Sequence, residues 1–470
     1  MAICRIINLQ SEREWAAQGQ WLQERGNPGS ADVEASVRDI LANVREKGDE
    51  ALVGYTQKFD CPDFAAPIRL SEQEIALGAA SVASEDREVI AQACSNIRTF
   101  HEEQKEKTWL QTRADGSILG QIVNPLPRAG LYVPGGKGGN TPLVSSLLMN
   151  AIPALVAGVP EIAVCTPPRA DGTVNPVILA AAHLLDIHEV YRVGGAWAIA
   201  AMAYGTESIA PVDIIAGPGN LFVTTAKRLV QGKVGIDMIA GPSEVCVIAD
   251  SSANPRWLAA DLLSQAEHDP LASAVCIVLD PLMAKALAEE LEEQCAKLPR
   301  TAIATTSLKD WGAIVVVPSL NDALSVANQI APEHLELCIR SPWETLPYIK
   351  NAGAVFMGHN SPEPVGDYFA GPNHVLPTLG TARFSSALSV QTFCKKTSIV
   401  ATSRNFLRDK GCSCLCAWAL GSHSKACPPR GPGSARPFRG SAKLKRPSLH
   451  SLPIVWAKAP QRPCAQAGAT

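Results

Sequence analysis

No stretch of this sequence is long and apolar enough to span a bilayer. The best candidate, Ala151 to Cys165, is interrupted by Pro153, Pro160 and Glu161, whereas a spanning helix needs about 20 mostly apolar residues. A secretory signal is missing too, because charges break up Met1 to Glu14 before an apolar core can form. These absences predict a cytoplasmic protein with no membrane partner. Cysteine pairing is also lacking. The nine cysteines before residue 412 are scattered singly, which suits free buried thiols in a reducing compartment. Acid is absent from the last 59 residues: Cys412 to Thr470 holds no Asp or Glu, nine Lys or Arg, eight Pro and five of the 14 cysteines. The formal charge of −3 therefore hides an acidic body, with 33 basic and 45 acidic residues giving −12, and a +9 tail. A GC-rich gene read in a shifted frame yields this Pro, Arg, Ala, Gly and Cys composition, and the tail is read that way. The other reading is a disordered basic extension for nucleic acid or an acidic partner. Cys412-Ser-Cys414-Leu-Cys416 lacks the two-residue gap of a zinc knuckle.

What is present is a globular composition, 46% hydrophobic and 19% charged, in 470 residues, too long for one ordinary core. Val33, Val37, Ile40, Leu41 and Val44 keep a helical stripe, Gly48 interrupts it, and Ala51, Leu52, Tyr55 and Phe59 resume it. Ser71 with Glu74 has capping-box spacing, and a longer helix runs from Ser84 toward Glu106. Alternation around Asp115-Gly116 predicts a hairpin over Trp109 to Val123.

From Ala129 the rhythm is strand, glycine loop, helix. Strands at 130–133, 162–165, 190–193 and 212–216 alternate with helical patterns, and Thr141-Pro142 has the form of a helix start. A second set of strands follows near 245–249, 274–279, 313–317 and 354–357, with helices near 257–267, 282–296 and 322–330. Such alternation predicts parallel sheets covered by helices on both faces. The fold class is thus α/β: two related Rossmann-like domains with parallel sheets, plus helical N-terminal elements and an atypical C-terminal tail. The expected divisions are 1–128, a helical region and hairpin packing on the second α/β domain; 129–243, the first domain, on the nucleotide side; 244–390, the second, with the metal and acid/base candidates; 391–411, the start of a C-terminal arm; and 412–470, the tail. Ligands of such sheets sit outside the C-terminal strand ends. Glycine loops are expected there at Gly194-Gly195, Gly217-Pro-Gly-Asn220 and Gly241-Pro-Ser-Glu244. The segments 212–218 and 236–242 repeat each other's pattern and are read as two edges of one cleft.

Several residue groups carry chemistry. The loop Pro134 to Asn140 leads a strand toward a helix N-terminus, where an anion is favoured. It departs from G-x-G-x-x-G at Thr141, and by itself reads as a tight turn. Gln265 and His268 lie three apart on a predicted helix and share a face; imidazole and amide oxygen suit zinc. Asp367, in a Gly- and Pro-rich loop with no helix to decorate, would complete a metal shell. Glu333-His334 puts two titratable groups on opposite sides of an extended piece, each free to work on a different proton of one substrate. Cys165 at a strand end reads as a buried thiol, not a nucleophile, and His374 as a contact for an anionic substrate group.

Together these motifs resemble those of the histidinol dehydrogenases, from the N-terminal helices to about Lys410. The resemblance rests on Gly-Leu-Tyr132-Val-Pro-Gly-Gly, Val-Gly-Gly-Ala196, Gly-Pro-Gly-Asn220, Ile-Ala-Gly-Pro-Ser243-Glu, Leu-Ser-Gln265-Ala-Glu-His268, Ala-Pro-Glu333-His334-Leu-Glu, Gly-Asp367-Tyr and Asn-His374-Val-Leu-Pro. It implies a homodimeric enzyme with one Zn2+ per subunit that takes L-histidinol to L-histidine through the aldehyde while reducing two NAD+. Gln265, His268 and Asp367 would be zinc ligands and, with Ser243, His334 and His374, contact the substrate. Tyr132 and Asn220 would bind NAD+. His334 would take the hydroxyl proton and Glu333 would activate water. Two features depart from the family. Trp197 stands where a Gln usually contacts NAD+, and an indole has no acceptor to offer. The arm that carries a further Glu and the last zinc-binding His into the partner subunit has no counterpart, since neither His423 nor His450 stands in a matching context. The alternative implied is a catalytically impaired copy that keeps the fold.

Overall fold

The structure is a computed structural model and describes residues 3–25, 31–136 and 143–406. Its strands, in chain order, are β1 Arg5–Asn8, β2 Trp109–Thr112, β3 Ile118–Pro125, β4 Arg128–Tyr132, β5 Glu161–Cys165, β6 Glu189–Tyr191, β7 Ile214–Ala216, β8 Gly235–Ile236, β9 Glu244–Ala249, β10 Ser273–Val278, β11 Ala313–Val316, β12 His334–Cys338, β13 Ala354–Met357 and β14 Cys394–Ala401. Two sheets are wholly parallel. One runs β6-β5-β4-β7-β8, the other β1-β11-β10-β9-β12-β13. Numbered from its own first strand, each follows the order 3-2-1-4-5, with β1 added at the edge of the second. The two halves are thus related, and each reverses direction beside its first strand, where such sheets open a crevice.

Near-continuous apolar strands explain why both sheets are covered. Every residue of β9 and β10 is buried, the pattern of a parallel sheet with helices on both faces. Successive side chains divide between two cores: Val245, Val247 and Ala249 face one, Cys246 and Ile248 the other. In the first sheet Ala129 and Leu131 join one core while Tyr132 joins the opposite one. Each such buried Val, Leu or Ile stabilises by about 1.5–3 kcal/mol relative to exposure.

The helical stripes form as expected, but their partner differs. Ala31–Lys47 and Asp49–Phe59 are separate helices, parted by Gly48 at φ +54°, a left-handed value that glycine adopts without a Cβ clash. Their Val37, Leu41, Val44 and Leu52 pack on the first sheet, as do Ile75, Ile90 and Ile97 of the next two helices. Residues before 26 do join the second sheet's side, through β1 with Cys4, Leu9 and Trp15, so the expected packing of 1–128 on the second domain is corrected for the helices from Ala31 to Glu102 alone; a stripe encodes an apolar face, not which sheet covers it. The Ser71 capping box is present with both reciprocal bonds. The helix from Ser84 ends at Glu102, and Thr301–Trp311 adds a helix that the sequence reading left out.

The hairpin at Asp115-Gly116 pairs β2 with β3, and β14 extends it antiparallel over eight residue pairs, Cys394↔Pro125 to Ala401↔Ile118. Residues expected to begin an arm are therefore partly a sheet strand. The repeated segments bring β7 and β8 side by side, but in the register Ile215↔Ile236, three residues off the alignment of the repeat. Cys4, Cys61, Cys94, Cys165, Cys246, Cys276, Cys295 and Cys338 are free and buried, and Cys394 is free and half-buried. No helix among the described residues is long and apolar enough to cross a membrane. Thr141-Pro142, most of the 134–140 loop and the whole tail lie outside the described residues.

Candidate active site

A cavity of about 190 Å³ brings Gln265, His268 and Asp367 together with Ser243, Glu333, His334 and His374. Its walls also include Ser145, Ser146 and Pro218, which follow C-terminal ends of strands in the first sheet. The acid/base residues come from elsewhere: Glu244 opens β9 and His334 opens β12. These are N-terminal strand ends, and the loop Gly241 to Glu244 runs from the C-terminal end of β8 to the N-terminal end of β9. The cavity thus joins residues that follow C-terminal strand ends of the first sheet to residues at N-terminal strand ends of the second.

Glu333 and His334 do not diverge as an extended piece requires. Glu333 precedes the first residue of β12, so strand alternation has not begun, and its Oε2 lies 3.6 Å from His334 Nδ1. That oxygen accepts the backbone N–H of Glu244 at 2.8 Å. His334 Nδ1 donates to the Glu244 carbonyl oxygen at 2.9 Å, and Nε2 stands 3.1 Å from Asp367 Oδ1. Two acceptors on one imidazole call for both protons. Burial opposes that charge, yet the carboxylates of Glu333 and Asp367 outweigh it and push His334 up to about 10. Burial pushes the Glu333 carboxyl up to about 8 despite His334 and the Glu244 N–H.

Asp367 does have a helix. It sits in a π-helical turn, Gly366–Ala370, directly after the turn Glu363–Val365, and such turns are common at functional sites. Burial would raise its carboxyl, but the His334 hydrogen bond and charge hold it below the ordinary value. Glu363, four residues earlier, has come to the same place: one ligand atom each from His334, Glu363 and Asp367 lie within 4.8 Å of one another. Sequence reasoning missed Glu363, although a spacing of four before Asp367 is a one-turn signal. Burial and the Asp367 charge push it up to about 8.

Gln265 is in the last turn of the helix Pro255–Ala266, and His268 lies just past the helix end, its N–H donating to the Gln265 carbonyl oxygen at 3.2 Å. They share the cavity without sharing a helix face. Gln265 is 2% exposed and its Oε1 has no hydrogen-bond partner. A buried acceptor without a donor is costly, and a donor or a cation would satisfy it. The oxygen and imidazole donors facing this space fit zinc. His374 Nε2 is also buried without a partner. Burial holds its imidazole below the usual value, so near neutrality it offers a hydrogen bond without charge.

On the first sheet, Tyr132 ends β4 and its hydroxyl accepts the Gly195 N–H at 3.2 Å. Asn220 caps the helix Leu221–Val230, its Oδ1 accepting N–H groups of Phe222 and Val223 at 3.1 Å each. Between them Gly217, at φ +126°, comes so close that a Cβ would meet the Tyr132 carbonyl oxygen at 2.1 Å. Two helix N-termini converge here beside the β4–β7 reversal, a fitting place for a dinucleotide. Trp197 is buried, its indole stacked against Tyr55 and Phe59 at 5.6 and 5.4 Å. Cys165 is fully buried, its thiol pushed by burial up to about 12, so it is no nucleophile.

Comparison with known proteins follows this geometry. The histidinol dehydrogenase family model matches residues 23–420, ten residues past Lys410. The histidinol dehydrogenase of Nitratidesulfovibrio vulgaris is 62% identical over 404 residues, covering 86% of this chain and 92% of that protein. That of Oleidesulfovibrio alaskensis is 59% identical over 404 residues, covering 86% and 93%. The crystal structure of histidinol dehydrogenase from Elizabethkingia anophelis superposes with a TM-score of 0.82 at 38% identity, covering 87% of this chain and 93% of that one. The chain belongs to the histidinol dehydrogenase family.

Proposed function

We propose that this protein oxidises L-histidinol to L-histidine through L-histidinaldehyde, as an NAD-dependent, zinc-containing enzyme completing L-histidine biosynthesis. The observation that carries this reading is the unpartnered, buried Gln265 Oε1 in a cavity shared with His268, Asp367 and the Glu333–His334 pair. Gln265, His268 and Asp367 would hold the metal, and Tyr132 and Asn220 would meet the dinucleotide. When bound, zinc orients and polarises the substrate and NAD+ accepts the two hydrides.

The chain's own groups handle the protons. With Nδ1 committed to the Glu244 carbonyl oxygen, Nε2 of His334 is the atom that takes the hydroxyl proton. It becomes a base once Asp367 is engaged elsewhere, because the Asp367 contact is one of the two that keep the ring charged. Glu333, ionised, takes a proton from the water that adds to the aldehyde. Ser243 and His374 supply uncharged hydrogen bonds to the substrate. Running both steps in one cavity limits escape of the aldehyde between them. Overall, the alcohol, one water and two NAD+ give the carboxylate, two NADH and three protons, each NAD+ taking one hydride. The working unit is read as a homodimer.

The test is NADH formation by the purified protein with L-histidinol, NAD+ and Zn2+. Two NADH per histidinol are expected. A folded protein that turns nothing over refutes the proposal and favours the impaired copy.

A further inference from the structure

Behind the acid/base pair stands Glu244, a residue outside the cavity lining that nonetheless touches both members. Its backbone N–H donates to Glu333 Oε2 at 2.8 Å and its backbone carbonyl oxygen accepts His334 Nδ1–H at 2.9 Å. Its carboxylate accepts the backbone N–H of Glu333 at 3.2 Å and that of Leu379 at 3.0 Å. The same carboxylate pairs with the guanidinium of Arg25, whose side chain is 1% exposed. Arg25 follows the helix Gln20–Glu24 and Nη1 also reaches the Ser243 carbonyl oxygen at 3.4 Å.

We propose that Glu244 is the positioning residue of the Glu333–His334 pair and that Arg25, from the N-terminal segment, is the counter-charge that keeps it in place. The adjacency of β9 and β12 makes this possible, since His334 pairs in register with Val245, the neighbour of Glu244. A carboxylate this deep needs a fixed partner and several donors to persist, and here Arg25 and two N–H groups supply them. Held so, Glu244 leaves Glu333 Oε2 and His334 one orientation each. Charge on Arg25 therefore acts on catalysis without touching substrate.

This inference rests on the proposed function, so it is tested by two readings. Three variants are compared with the wild type: Glu244→Gln, Glu244→Asp, which keeps the charge but withdraws it by one methylene, and the double variant Arg25→Met/Glu244→Gln, which leaves no lone buried charge. The first reading is kcat against KM for L-histidinol. Misplaced acid/base groups should lower kcat by about 100-fold while KM stays within about threefold. The second is the 15N-histidine spectrum, where the His334 Nδ1–H of the wild type should be slow to exchange and should lose that protection in each folded variant. Unchanged kcat and an unchanged Nδ1–H signal in any folded variant overturn the proposal; Glu244→Asp serves this purpose should the others not fold. A wild type that does not oxidise histidinol refutes the proposed function alone, and the Nδ1–H signal still decides the role of Glu244.

Discussion

Replacing Lys227 by Met should destabilise the protein severely, and replacing its partner as well should restore most of the loss. Lys227 and Asp237 form an ion pair whose side chains are 3% and 0% exposed. Lys227 Nζ also donates to the Gly217 carbonyl oxygen at 2.8 Å. Asp237 accepts the Gly217 N–H at 2.8 Å and the Met238 N–H at 2.6 Å. Lys227→Met leaves a carboxylate in the interior with two N–H donors and no counter-charge, which costs about 3–5 kcal/mol. In Lys227→Met/Asp237→Asn no charge is left, and the remaining loss is about one unmade hydrogen bond, ~1–2 kcal/mol. The coupling between the two sites should therefore be about 2 kcal/mol or more. Urea unfolding of the wild type, Lys227→Met, Asp237→Asn and the double variant measures it. Because the pair holds both backbone groups of Gly217, at the head of Gly217 to Asn220, KM for NAD+ should rise more than KM for histidinol. A single variant that loses less than about 1 kcal/mol, or a double variant no better than the single, would refute the reasoning.

The other predictions concern the site and one distant carboxyl. Glu333→Gln should halt the reaction at the aldehyde, so that single-turnover experiments give one NADH per histidinol; two would exclude Glu333 as the water-activating base. Activity should rise with pH through about 8, since Glu333 must lose its proton there to act as a base. A profile that falls over this window contradicts that role. Gln265→Leu should lower zinc content after dialysis at least about tenfold, read by elemental analysis. Asp60 is pushed by burial up to about 6, and its Oδ2 is buried without a partner. Its folded value lies above its unfolded one, so its contribution is full below about 3.8 and is lost as pH rises through about 6. Asp60→Asn should accordingly stabilise the protein at pH 7 by about 1 kcal/mol, a figure discounted for partial exposure, and not at pH 3.5; equal melting points at both pH values would oppose this.

How much of this was legible beforehand differs from residue to residue. The helices on either side of Gly48, the Ser71 capping box and the Asp115-Gly116 hairpin are local features, set by bonds within a few residues, and they stand where the periodicity puts them. Glu363 and Glu244 were not legible as site residues. Neither has a local anomaly; they matter because β12 lies beside β9 and because a π-helical turn aims Asp367 back at His334. Nor did any local pattern place Trp197, which the fold stacks on Tyr55 and Phe59.

By itself the sequence determined the alternation of strand and helix in both halves, though not β1, β8, β12, β14 or the helix Thr301–Trp311, together with the free buried thiols and the residue types of the site, because hydrophobic period, turn chemistry and motif spacing act over short distances. Tertiary structure alone decided which sheet the N-terminal helices cover, that the acid/base pair sits at N-terminal strand ends, and that Arg25 reaches Glu244 across the chain. These depend on pairings between distant segments, where burial and charge compensation select a partner that no local pattern names.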